Sequence, residues 1–313
     1  MVIKHWCAVM ALVITGLALA PAPSALAETV VLPNAEYRDI APLRGGPPWR
    51  VFIWKPKAPP PEAGYPVIYV TDANAVFGTL VEALNMRSRN PAVSGVDPAV
   101  IVGIGYPTDQ PLDLDRRTYD LTPKVDVSTL PPKPDNSPWA KTGGADEFLA
   151  FIQDEVKPLI AKEVKIDPAR ESLFGHSFGG LFALHVLFTK PEAFDVYVAG
   201  SPSIWFGDRH LMKEAGAFIA SAKTKPVNVR LLLAVGEWEQ VLSPAEAKGP
   251  KPEVRANWKA KNRMLDNARD MDAELKEASG LSVTYREFSE EDHVSIIPVI
   301  AARALSFAAA PVR

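Results

Sequence analysis

Residues Glu171–Thr189 read ESLFGHSFGGLFALHVLFT. Ser172-Leu173-Phe174 is a short strand-like run, and Gly175-His176-Ser177-Phe178-Gly179 follows it in the pattern Gly-x-Ser-x-Gly. The apolar segment beyond has no proline until Pro191, which predicts a helix. Strand, tight turn and helix is the context in which this pattern has a mechanism. A sharp strand-to-helix turn strains the backbone of its central residue. The residues two before and two after then nearly touch, only small side chains fit, and both here are glycine. Ser177 is thereby thrust out at the sheet edge, where the unpaired amides and positive end of the following helix converge.

The chain has 313 residues, with 34 Lys and Arg against 37 Asp and Glu. Met1–Ala27 reads as a secretory signal peptide. Lys4 is its basic start, Ala8–Leu19 its apolar core, and Ala25-Leu26-Ala27 an A-x-A cleavage site. The apolar run is too short to span a bilayer. A single catalytic domain is expected over residues 28–313, secreted or periplasmic, with no membrane attachment after cleavage. Cys7, the one cysteine, lies in the leader, so the mature chain has no disulfide and no thiolate metal site. Without Lys4 the balance is 33 basic to 37 acidic residues, which argues against nucleic acid or an anionic membrane as partner. Neither a metal nor a cofactor is expected. Oligomeric state is not encoded legibly.

Around the central stretch, strand-like runs alternate with helical ones. Tyr37–Leu43 and Trp49–Trp54 read as two strands around a turn. Val67–Thr71, Ala99–Ile104, Val196–Ala199 and Val229–Val235 read as buried strands, and Leu281–Phe288 as a last, alternating one. Val76–Arg87, Asp146–Glu163, Arg255–Glu277 and Val294–Phe307 read as helices. Proline-rich Pro107–Trp139 reads as a long irregular excursion. The rhythm implies an α/β fold, a mostly parallel central sheet with helices on both faces.

A serine nucleophile needs a base. His176 flanks Ser177 and must point elsewhere, His185 lies inside the elbow helix, and His210 sits in a polar segment after a turn. His293 follows the last strand, at the sheet edge where open α/β folds bind ligands, and is the favoured base. The base needs an acid to fix its tautomer. The order Ser, acid, His places the acid after the strand ending at Val235. Glu239 is preferred there over Glu237, with Asp292 a third candidate. The oxyanion needs backbone donors. The expected pair is the Phe178 amide and the Asn74 amide, in the loop after Val67–Thr71. Arg116 and Arg117, in the proline-rich excursion, are candidates to bind an anionic ligand, and Trp205 to wall an aromatic ring.

The sequence resembles the esterase-D-type α/β-hydrolases, and within them the periplasmic and secreted esterases that open trilactone siderophores. The segments that carry the resemblance are YPVIYVTDANAVF (Tyr65–Phe77), IVGIGYPTD (Ile101–Asp109), RRTYDLTP (Arg116–Pro123), FGHSFGGLFALHVLF (Phe174–Phe188), GSPSIWF (Gly200–Phe206), AVGEWEQ (Ala234–Gln240) and the His293 segment. The usual Asp-Gly-Asn of the oxyanion loop is here Asp72-Ala73-Asn74. The resemblance implies the α/β-hydrolase fold and hydrolysis of a small-molecule ester, a ferric trilactone siderophore being the leading case. It also implies that the acid varies, some relatives working as a Ser-His pair. An acyltransferase on the same scaffold, or a binding protein on an inactive one, are the competing readings.

Overall fold

Eight strands form one sheet in the order β1-β2-β4-β3-β5-β6-β7-β8. They are β1 (Ala35–Ile40), β2 (Trp49–Trp54), β3 (Tyr65–Val70), β4 (Val100–Gly105), β5 (Ile166–His176), β6 (Val196–Gly200), β7 (Val229–Gly236) and β8 (Leu281–Phe288). β2 runs antiparallel to β1 and β4, and every other pairing is parallel. The computed structural model describes residues 29–310, so the signal peptide expected at Met1–Ala27 lies outside them.

β3, β4 and β6 are buried along their whole length, because helices cover both faces of the parallel sheet. On one face Val67, Tyr69, Val102, Leu173, Tyr197 and Leu233 share a core with Phe148, Phe182, Phe206 and Met271. The alternate residues Ile68, Val70, Ile101, Phe174 and Val198 are equally buried. They face the other way, toward the packed pair of helices Ala73–Arg87 and Ile296–Ala308. The elbow helix, Phe178–Thr189, is buried from Phe178 to Phe188. A helix enclosed on every side needs no polar face, which is why its sequence is apolar throughout.

Two expectations change. Arg255–Glu277 is not one helix but two, Pro252–Asn262 and Met264–Leu275, broken at Arg263 in a left-handed conformation (φ 48°, ψ 43°). The break brings Asp266 to Gln240, with Gln240 Nε2 donating to Asp266 Oδ2 at 2.7 Å and the Asp266 amide donating to Gln240 Oε1 at 3.0 Å. Helical periodicity runs unbroken through this point and does not reveal the break. His210 follows a left-handed turn, Gly207–Arg209, and opens the regular helical run to Thr224. The excursion contains a helix of its own, Leu114–Asp120, whose Asp113 cap accepts from the Arg116 amide.

β5 passes into the elbow helix through Ser177, at φ 61° and ψ −116°. The Ser177 amide donates to Gly200 O at 2.9 Å, tying the turn to the end of β6. A methyl group on Gly175 would overlap the Gly179 backbone carbonyl, which cannot yield as a flexible side chain can. Gly175→Ala should therefore cost on the order of 4 kcal/mol or more. Gly216→Ala, on an exposed helical turn with open space around it, should instead stabilise by about 0.4–1 kcal/mol. Thermal melting of the two variants beside the parent chain checks both signs.

Candidate active site

The C-terminal ends of the parallel strands carry the residues that meet. Just beyond the strand ends, β3 leads to Asp72, β5 to Ser177, β6 to Ser201, β7 to the Glu237–Glu239 turn and β8 to His293. Ser177 Oγ lies 3.0 Å from His293 Nε2, and His293 Nδ1 lies 2.7 Å from Glu239 Oε2. With Nδ1 protonated against a carboxylate, Nε2 is left to accept from the serine hydroxyl.

Glu239 is the carboxylate at His293, and it is fully enclosed. Its side chain has no exposed surface. Its second oxygen, Oε1, accepts from Ser201 Oγ at 2.5 Å and from the Gly236 amide at 2.8 Å. A buried carboxylate needs such donors to stay charged. The turn that carries it is clamped from outside. Buried Lys259 donates to Trp238 O at 2.7 Å and Val241 O at 3.1 Å and pairs with Glu246, while the Trp238 amide donates to Glu291 O at 3.0 Å. The other two carboxylates are engaged elsewhere. Glu237 Oε2 accepts from the Glu290 amide, and Asp292 Oδ1 accepts from the Val294 and Ser295 amides.

Ser201 was not picked out in the sequence, where Gly200-Ser201-Pro202 reads only as a strand end. It is wholly buried with a positive φ of 43°, and its hydroxyl reaches across to the neighbouring strand's acid. The one available signal was its place at the end of the strand next to the elbow. His176 is also at the site, its ring 4.7 Å from that of His293. Burial first, then the charges of His293 and Arg117, hold His176 well below the usual histidine range, so it stays neutral.

Phe178 is the first residue of the elbow helix and Asn74 the second of helix Ala73–Arg87, so neither amide has an intrahelical partner. The Asn74 side chain is occupied. Its Oδ1 accepts from the Tyr106 amide, and its Nδ2 donates to Tyr106 O and Thr108 O.

Arg117 offers no free guanidinium to a ligand, which corrects that expectation for it. Arg117 is buried and bidentate on Asp72, with Nε to Oδ1 at 2.9 Å and Nη2 to Oδ2 at 2.8 Å. Burial alone would lower its pKa, and the Asp72 carboxylate outweighs that and raises it. Arg116 donates to Pro48 O at 2.6 Å and lies against the Tyr106 and Trp49 rings. A carboxylate distant in sequence claims Arg117. Trp205 is half-buried in an aromatic cluster, with ring centroids 6.1 Å from Phe178, 5.9 Å from Trp139 and 5.7 Å from Trp258.

Residues 46–274 match the model of the esterase family ("Putative esterase"). The chain belongs to this esterase family. It is 42% identical over 282 residues to the ferri-bacillibactin esterase BesA of Bacillus subtilis, covering 90% of this chain and 91% of that protein. It is 41% identical over 244 residues to a siderophore enterobactin esterase of Emericella nidulans, covering 74% and 77%. The BES protein from Bacillus cereus has a similar structure, with a TM-score of 0.79 and 34% identity over 91% of this chain and 99% of that one. The fold is that of the α/β-hydrolases, and the protein is a carboxylic ester hydrolase of the serine type.

Beneath the site, buried Asp120 accepts from Trp49 Nε1 at 2.7 Å. Burial pushes its pKa up to about 6, against the opposing Trp49 bond. An acid raised on folding contributes stability below its unfolded value, and that contribution is lost as pH rises through the folded value. Asp120→Asn keeps an acceptor for Trp49 and does not ionise. Relative to the parent it should gain up to about 3 kcal/mol between about pH 4 and pH 7, measured by denaturant unfolding at each pH.

Proposed function

We propose that Ser177, His293 and Glu239 act as nucleophile, base and acid in the hydrolysis of a siderophore ester outside the cytoplasm. The observation that carries the reading is the hydrogen-bonded chain from Ser177 Oγ through both ring nitrogens of His293 to Glu239. Ser177 Oγ attacks the ester carbonyl as His293 Nε2 takes its proton. Glu239 holds Nδ1–H and stabilises the imidazolium, and Ser201 and the Gly236 amide hold Glu239. The Phe178 and Asn74 amides receive the oxyanion. His293 then returns the proton to the departing alcohol. Water attacks the acyl-serine by the reverse route and frees the acid.

The siderophore assignment draws on the relatives named for such esters. Trp205, with Trp139 and Trp258, supplies an aromatic cluster around the Phe178 ring, at the residue after the nucleophile. Export draws on the leader read in Met1–Ala27. Among the described residues no helix is long and apolar enough to cross a membrane.

Ser177→Ala should lower kcat for a short aryl ester by about 10⁴-fold or more without loss of fold, and should abolish labelling by a fluorophosphonate. Glu239→Gln should cost about 10²–10⁴-fold, and Ser201→Ala about tenfold, because the Gly236 amide still holds the carboxylate. Retention of activity by purified Ser177→Ala, or of full activity by Glu239→Gln, sinks the assignment.

A further inference from the structure

Two helices start at this site, and both have a side chain at the N-cap of a type that normally bonds back to the first-turn amides. Asp72 precedes helix Ala73–Arg87, and Ser177 precedes helix Phe178–Thr189. A capping Asp or Ser accepts from the second or third amide of its helix. Neither does so here. Ser177 Oγ is turned toward His293, and the Asp72 carboxylate is held by Arg117 through two bonds. Asp72 is itself left-handed, at φ 51° and ψ 40°. The second amide of its helix is that of Asn74. The Asn74 side chain cannot substitute as a local cap, because the chain at Tyr106–Thr108 uses both its polar atoms.

We infer that Arg117 is a positioning residue for the oxyanion hole, which keeps the Asp72 carboxylate off the Asn74 amide and so leaves that amide open to the reaction. The inference rests on the reading of Asn74 as the second oxyanion donor. Arg117 also touches the residue that carries the other donor, its guanidinium lying 5.2 Å from the ring centroid of Phe178. One buried side chain thus contacts Asp72 and the Phe178 ring, residues of both helix starts. The pair also sets the local charge. Released from Arg117, Asp72 would place a carboxylate where negative charge develops in the transition state, which opposes the reaction. Arginine suits the task because its planar fork matches a carboxylate at two points and stays charged when buried.

The test separates this role from simple stabilisation. Arg117→Met should lower kcat for a short aryl ester by about 10²-fold with KM little changed, the loss typical of one oxyanion donor. The inhibition constant of a trifluoromethyl ketone, whose adduct carries an oxyanion, should rise by a similar factor. Two double variants decide the cause. Arg117→Met with Asp72→Ala has no side chain able to cap Asn74, and should recover much of the lost kcat and ketone affinity. Arg117→Met with Asp72→Asn also removes the buried charge but retains a capping oxygen, and should stay impaired. Stability runs the other way, because asparagine tolerates the left-handed conformation better than alanine. A purely structural role therefore predicts that the Asn double variant is the more active. That order, or an Arg117→Met defect confined to KM, overturns the inference. Loss of Ser177-dependent hydrolysis in the parent chain would instead overturn the underlying reading.

Discussion

The turn at Ser177 governs the rest of the site. Its backbone sits at φ 61° and ψ −116°, outside the regions favoured by side-chain-bearing residues. Such strain persists only where the surroundings over-determine it. Here the Ser177 amide is tied to Gly200 O, its carbonyl receives the Ser203 amide at 3.2 Å, and Gly175 and Gly179 pack backbone against backbone. The elbow helix behind it is sealed in the core, which fixes the direction in which the serine hydroxyl and the Phe178 amide point.

From that point outward, the site is a set of buried polar groups that satisfy one another. Glu239 is answered by His293, Ser201 and Gly236, and Asp72 by Arg117. Each pairing joins elements far apart in sequence, and in a low-dielectric setting each would be costly if left incomplete. Rigidity follows from this. A carboxylate with three partners has little freedom to reorient, and the histidine bonded to it inherits that order. The turn around Glu239 is held again by Lys259 and by the Gln240–Asp266 pair, so the long segment after β7 serves to brace the acid.

Helix termini link the fold to its chemistry. The parallel sheet brings the starts of helices Ala73–Arg87 and Phe178–Thr189 to one edge, because each follows directly on a strand running the same way. Each start carries unpaired amides and a partial positive charge. Their capping side chains point elsewhere, one to a histidine and one to an arginine.

The α/β architecture, the elbow and the strand-end position of His293 were all legible in the sequence, because they rest on local signals: apolar runs of strand length, glycines two residues either side of a serine, and chain order. The existence of a carboxylate after β7 was legible too. The partner of each polar group was not. Glu237 and Glu239 stand two residues apart, and only the turn after Gly236, pinned by Lys259 and Glu291, sends one inward and the other to the Glu290 amide. Ser201 looked like a strand end until β6 was laid beside β7. Arg117 looked like a ligand contact until the excursion folded its guanidinium onto Asp72, 45 residues away. Helical periodicity ran unbroken through Arg263, yet the backbone turns left-handed there so that Asp266 can meet Gln240. Local sequence specifies where backbone strain and burial must fall. Which charges meet depends on through-space distances of a few ångströms, and those exist only once the sheet has brought distant segments together.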